Sequence, residues 1–383
     1  MERSRFLDRI RGSLIGGAIG DALGYPVEFM MWEEIQRGYG VGGIRSYDLK
    51  FGGGSAIFSD DTQMSLFTAN GILLYETRRR LGDDRGTVSD YVHRAYREWL
   101  KTQSWGGFDL NSEHLCWLYE IRGLHHDRAP GGTCLSALRS GRKGTIEAPL
   151  NRSKGCGGVM RVAPLGLRYE PKDEADQRRL DRESADIAAI THGHPLGYIP
   201  AAILTHIVGV GVYGDGSLSL KGAVDEAWTS VKEQFKDVVS SNYLAEMEEL
   251  LVRAKTLAEA PGDDEEHVEA IGKGWTGDEA LAIAVYCALR YPTDFSKAVV
   301  AAVNHGGDSD STGAIVGNIL GAWLGYDAIE EKWKENLELK DVLLETADDL
   351  CFGALPSEGE TSDLDETWRS KYCQGHAGDK YKL

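Results

Sequence analysis

Positive charge is the first thing this chain is short of. Across 383 residues it carries 42 Lys and Arg against 60 Asp and Glu, a net charge of −18. Duplex nucleic acids are gripped through phosphates by a basic footprint, so no duplex DNA or RNA partner is expected. Local anion sites stay open wherever a metal ion or helix N-termini supply the positive charge. Cysteine is sparse too: Cys116, Cys134, Cys156, Cys287, Cys351 and Cys373 are scattered and form no CxxC pair. That excludes a disulfide framework and reads as the reduced thiols of a cytoplasmic protein. Long apolar runs are missing, since Ala201–Tyr213 and Ala314–Leu324 fall short of the roughly 18–20 residues of a membrane span. The charged start MERSRFLDRIRG has no signal-peptide core, and no membrane association is expected.

Glycine is abundant instead, at 47 residues, while proline stays at 10. Disorder would raise both, so the glycines ask for another reason. Gly16, Gly17, Gly20 and Gly24 fall inside a helical pattern, which implies close backbone packing or close approach to a ligand. Apolar residues recur at helical spacing in Leu7-Ile10-Leu14-Ala18, Leu66-Ala69-Leu73, Leu281-Ala284-Ala288 and Ile315-Ile319-Ala322. Period-2 alternation is short and rare, so the chain reads as all-α. The polar segments Arg78–Arg85 and Tyr169–Asp181 read as loops, and Ala260–Glu266 as a connection between two helices. From Pro356 the chain is polar and weakly periodic. This tail either stays apart or wraps the body through Trp368 and Tyr372.

Two segments carry clustered carboxylates and hydroxyls just before an apolar helix: Ser59-Asp60-Asp61-Thr62 and Asp308-Ser309-Asp310-Ser311-Thr312. Ser and Asp are ordinary N-cap and first-turn residues, and either segment alone needs no more than that. Four Asp exceed what two caps require, and together they offer the hard oxygen donors of a Mg²⁺, Mn²⁺ or Ca²⁺ site. Two other readings of the second segment fail. Counted from Asp308, the twelfth residue of an EF-hand loop would be Ile319 where a bidentate Glu belongs. An aspartyl-phosphatase DxDxT motif should follow a strand early in an α/β domain, and this one sits late among helices.

In chain order, five blocks make the chain resemble the ADP-ribosylglycohydrolase family: GSLIGGAIGDALGYPVEF (Gly12–Phe29), FSDDTQM (Phe58–Met64), SKGCGGVMRVAPLGL (Ser153–Leu167), THGHPLGY (Thr191–Tyr198) and HGGDSDSTGAIVGNILGAWLG (His305–Gly325). The resemblance runs from about Arg9 to Leu355. It implies one helical domain over 1–355 with a polar tail over 356–383, and a cleft holding two Mg²⁺ or Mn²⁺ ions. Ser59, Asp60, Asp61, Asp308, Asp310 and Ser311 match the family's metal ligands, and Glu28 matches a glutamate on a mobile loop. Gly155, Cys156, Gly157, Gly158, Met160 and Arg161 match the loop that holds ADP-ribose, with Cys156 where Asn is common. His192 matches a histidine beside the ligand. Asp21 is a candidate supporting carboxylate, and Trp105, Trp117 and Trp275 are candidate core or rim aromatics.

The implied reaction is hydrolysis of the bond between C1″ of ADP-ribose and a protein side chain, with Asp61, Asp310 and Glu28 in the catalytic roles. Family frequency favours ADP-ribosyl-arginine, with serine-linked ADP-ribose, O-acetyl-ADP-ribose and ADP-ribosylated nucleic acid as open alternatives, and an ADP-ribosylated protein and ADP-ribose are the expected partners of a monomeric enzyme. The competing expectations are a non-catalytic ADP-ribose sensor or partner-blocking protein on the same fold, and a helical interaction protein whose Asp clusters are only caps.

Overall fold

The four-residue glycine spacing of the first helix, Glu2–Gly24, is matched near the other end of the chain in the helix Ser309–Leu324. A Cβ built on Gly12, Gly16 or Gly20 would meet the carbonyl oxygen of Gly321, Gly317 or Gly313 at 2.3, 2.4 or 1.9 Å. On Gly24 it would meet Ser309 O at 2.4 Å. The two helices therefore run antiparallel with their backbones in direct contact, which only glycine permits. Ser13 Oγ donates to Asn318 O and Asn318 Nδ2 returns a bond to Ser13 O, both at 2.9 Å, which fixes the register. This is the most extensive helix–helix contact among the described residues.

The computed structural model describes residues 2–82, 85–103, 114–353 and 366–373. Seventeen α-helices lie within these residues, with short 3-10 turns, two isolated β-bridges and no strand. They form a single compact domain, the all-α fold that the periodicity predicts. The helix Pro195–Tyr213 is long and apolar enough to cross a membrane, contrary to the run-length reading. Its apolar window is 89% buried inside the protein, so packing already consumes that surface.

Helices reach into two predicted loops. Asp60–Arg80 extends into the Arg78–Arg85 segment, carried by the buried Leu74 and Thr77 and by Arg78–Arg80 at a helix C-terminus, where cations are favoured. Glu174–Ala189 starts within the second segment, capped by Asp173, whose side chain accepts from Asp176 N at 2.9 Å. Its first turns are polar, so the apolar period was faint. The connection Ala260–Glu266 does join two helices, Ser241–Glu259 and Asp264–Ile271. Within the tail, Glu366–Tyr372 is helical and docks on the body. Trp368 Nε1 donates to Thr77 Oγ1 at 2.9 Å and Tyr372 OH to Asp349 Oδ2 at 2.7 Å. Trp117 is a core residue, and Trp105 lies outside the described residues.

Gly20→Ala should lower the melting temperature sharply, because a rigid backbone carbonyl cannot yield; overpacking of this kind costs at least about 1–3 kcal/mol. Gly209→Ala is the control, with its nearest foreign atom at 3.7 Å. It should be neutral or gain up to about 1 kcal/mol from helix propensity. Equal melting temperatures for the two variants would contradict the packing account.

Candidate metal centre and ligand cleft

Ser59 caps the helix Asp60–Arg80, its hydroxyl accepting from Asp61 N at 3.2 Å. Asp308 caps Ser309–Leu324, accepting from Ser311 N at 3.3 Å. Capping thus accounts for Ser59 and Asp308, and leaves Asp60, Asp61 and Asp310 unexplained. The glycine contact supplies the explanation by bringing both helix starts against the end of the first helix. There Asp21, fully buried, accepts from Ser59 N at 2.8 Å, Thr62 N at 3.0 Å and Thr62 Oγ1 at 2.6 Å. It ties the first turn of one carboxylate helix to the backbone-packed pair that carries the other. Burial and the charge of Asp310 push its carboxyl up to about 7.

The two clusters meet on a cleft of about 310 Å³. Glu28, Asp60, Asp61, Asp308, Asp310 and Ser311 all line it, whereas Ser59 does not. Glu28, Asp308 and Asp310 each place an oxygen within 4.8 Å of the other two. Glu28 Oε2 and Asp61 Oδ2 are buried without a hydrogen-bond partner. Burial, and then the charge of Asp310, pushes the carboxyls of Glu28, Asp60, Asp61 and Asp308 well above the usual range. Like charges this close cannot all ionise unless cations intervene. Orphaned carboxylate oxygens with a hydroxyl are the donor set of a hard divalent ion, so Mg²⁺ or Mn²⁺ fits these residues.

Gly155, Cys156, Gly157, Met160 and His192 also line the cleft. The turn is held from behind, Cys156 N donating to Trp275 O at 3.2 Å and Gly277 N to Lys154 O at 2.8 Å. A Cβ at Gly157 would come within 2.9 Å of His192 Cε1 and 3.1 Å of Cys134 Sγ, so a side chain there would collide with both. Two residues of the predicted loop are not on the cleft wall. Gly158 packs against Gly197 O, 2.4 Å from its virtual Cβ, so it serves a helix approach. Arg161 is fully buried beneath the floor, its guanidinium 4.4 Å from the ring centre of Tyr96. Cys156 Sγ donates to Asp308 Oδ2 at 2.7 Å, and burial with that carboxylate pushes the thiol well above its ordinary value, which removes it as a nucleophile.

Sequence reasoning missed the segment Ala129–Cys134, which forms another wall. Asp60 N donates to Arg128 O at 3.0 Å and Gly131 N returns a bond to Asp60 Oδ2 at 3.3 Å. The one signal was Pro130-Gly131-Gly132, because the contribution is made by backbone. Trp275, 41% exposed, is a rim residue and stacks on Phe29, 71% exposed, with ring centres 5.8 Å apart. A larger concavity of about 680 Å³ near Trp32, Arg45, Asp264 and Trp333 has no comparable cluster among the described residues. Its Asp264 is taken by the hydroxyls of Tyr286 and Tyr291 at 2.6 and 2.7 Å.

A divalent ion that relieves this repulsion should raise the melting temperature, by about 2.7 kcal/mol in stability at a hundredfold excess over Kd. The raised carboxyls must lose protons to bind it, so apparent affinity should strengthen as pH rises. Asp310→Asn should leave the metal-free protein at least as stable and abolish the shift. Calorimetry with Mg²⁺, Mn²⁺ and EDTA measures both; a wild-type protein indifferent to either ion would refute the assignment.

A sequence model of the family described as ADP-ribosylglycohydrolase matches residues 2–359. The chain is 27% identical over 346 residues to the ADP-ribosyl-[dinitrogen reductase] glycohydrolase of Rhodospirillum rubrum, covering 87% of this chain and 91% of that protein. It is 25% identical over 375 residues to the ADP-ribosylhydrolase ARH3 of Bos taurus, covering 88% and 90%. A solved structure titled an ADP-ribosylglycohydrolase-related protein complex has the same fold, with a TM-score of 0.60 and 22% identity over 91% of this chain and 98% of that one. With paired helix starts, a cleft and a glycine turn in the order the five blocks imply, the chain belongs to the ADP-ribosylglycohydrolase family.

Proposed function

We propose that the protein is a monomeric cytoplasmic enzyme that removes ADP-ribose from modified arginine side chains of proteins, using two Mg²⁺ or Mn²⁺ ions. The observation that carries this reading is the cleft itself. Its carboxylates, with two orphaned oxygens, line one space of about 310 Å³ together with a glycine turn. Asp60, Asp61, Asp308, Asp310 and Ser311 would hold the ions. Divalent ions in such a set supply Lewis acidity and anchor substrate hydroxyls.

The remaining work falls to the chain's own groups. Glycosidic cleavage develops positive charge on the ribose, which the surrounding carboxylates stabilise. Asp61 Oδ2, without a partner, is free to orient a water toward C1″. Glu28, close to Asp308 and Asp310, can pass a proton to the departing group. Gly155 and Gly157 leave room for a diphosphate to lie against the backbone. An acidic cleft also suits a cationic guanidinium leaving group. The competing reading, a non-catalytic binder, is disfavoured because every carboxylate of the set is retained.

Release of free ADP-ribose from an arginine-ADP-ribosylated protein should require Mg²⁺ or Mn²⁺ and stop with EDTA. Asp60→Ala should reduce kcat by at least about 100-fold, the scale of losing one preorganised electrostatic partner. Metal-dependent ADP-ribose binding with no release from arginine, serine or acetyl linkages would favour the binder instead.

A further inference from the structure

A guanidinium buried with no carboxylate partner needs an account, because an isolated buried charge is costly. Arg161 is fully buried, and its hydrogen bonds go to neutral groups: Met64 Sδ at 3.5 Å, Cys134 Sγ at 3.3 Å and Thr191 Oγ1 at 2.7 Å. Tyr96 stacks beneath it, and Nε has no partner. Thr191 links this guanidinium to one cleft residue, His192.

Guanidinium nitrogens only donate, so Thr191 Oγ1 accepts from Arg161. The same oxygen lies 2.8 Å from His192 Nδ1. A hydroxyl that already accepts from a cation is polarised to donate its own proton. The field of Arg161 also favours the electron-rich, unprotonated ring nitrogen on its side. Cys134 competes for the Thr191 proton, but sulfur is a weak acceptor and this one already receives Arg161 Nη1. Nδ1 of His192 is therefore the acceptor, and the ring proton sits on Nε2. That nitrogen faces the glycine turn: a Cβ on Gly155 or on Gly157 would lie 3.3 Å from it.

We propose that Arg161 and Thr191 are positioning residues that fix His192 as its Nε2–H tautomer, making it a permanent hydrogen-bond donor to an anionic oxygen lying against the Gly155–Gly157 turn. Burial, and then the charge of Arg161, lowers the imidazole to about 3, which keeps the ring neutral and consistent with a donor that is never a shuttled proton. The identity of the oxygen, one from the diphosphate of ADP-ribose, rests on the function proposed above; the tautomer does not.

Long-range ¹H–¹⁵N correlation on full-length, ¹⁵N-histidine-labelled protein reads the tautomer directly, with the His192 signals identified by their loss in His192→Gln. Wild type and Thr191→Ser should show the Nε2–H pattern, and Thr191→Val a mixture of tautomers. Calorimetric titration with ADP-ribose should show at least about a tenfold loss of affinity in Thr191→Val and little change in Thr191→Ser, as expected for a hydrogen bond to a charged group. An Nδ1–H pattern in wild type, or an unchanged tautomer and affinity in Thr191→Val, would overturn the proposal. An Nε2–H signal in a wild-type protein that fails to bind ADP-ribose would overturn the ligand half along with the functional reading, and leave the tautomer assignment standing.

Discussion

The backbone contact between the first helix and the helix Ser309–Leu324 is the constraint on which the site depends. Side chains normally hold helix axes about 8–10 Å apart. Glycine at every fourth position removes them, and Cα–H groups can then face carbonyl oxygens across the seam. The ladder ends at Gly24 against Ser309, so the backbone contact runs up to the point where the second carboxylate cluster begins. Asp21, three residues before that rung, reaches across to the amides of Ser59 and Thr62. Two helix starts that are 248 positions apart in Asp60–Asp308 numbering thereby share one cleft through a single buried carboxylate and a row of missing side chains.

That geometry sets up an electrostatic conflict which the fold does not resolve with protein groups alone. Asp310 contributes to the raised carboxyls of Asp21, Glu28, Asp60 and Asp61 alike, so it sits at the centre of the repulsion. Arg161 draws the Asp60 carboxyl downward from beneath the floor, without an ion pair. One buried cation held at a distance cannot neutralise five clustered carboxyls. The stability spent on crowding them is what a bound divalent cation would return, so the site is least comfortable in the metal-free form.

The sequence made the chemistry legible where side chains carry it. The Asp clusters stood out because four acids exceed what two caps require, Cys156 and His192 entered only through the family resemblance, and the glycine period announced close packing without naming its partner. Contributions made by backbone were not readable. Ala129–Cys134 shapes a wall through amides and carbonyls, and neither Pro130 nor Gly131 says so alone. Position within a motif does not fix orientation: Gly158 and Arg161 belong to the same short run as Gly155 and Gly157, yet Gly158 packs against Gly197 O and Arg161 is buried. Ser59 caps its helix and its side chain also meets Asp310, so one hydroxyl serves the cap while staying next to the carboxylate cluster. The polar starts of Glu174–Ala189 and of the docked Glu366–Tyr372 helix hid them, because a helix pinned by one cap or one tryptophan leaves little apolar period.

The members of the cluster are also held with unequal firmness, and this bears on how a substrate enters. Asp60, Asp61, Asp308 and Asp310 sit at the starts of long helices anchored by the glycine ladder or by Asp21. Glu28 instead follows the short 3-10 turn Tyr25–Val27 and is tied by a single backbone bond to Tyr25 O at 3.4 Å. Its neighbour Phe29 is exposed and meets the protein through the stack with Trp275. Moving Glu28 out of the cleft would relieve its repulsion from Asp310 and Asp308 and require breaking little else. Moving any of the four Asp would unwind a helix start. The rigid Asp wall therefore defines where charge is held, and the Glu28–Phe29 turn is the part of the cleft whose displacement costs least when a ligand must pass.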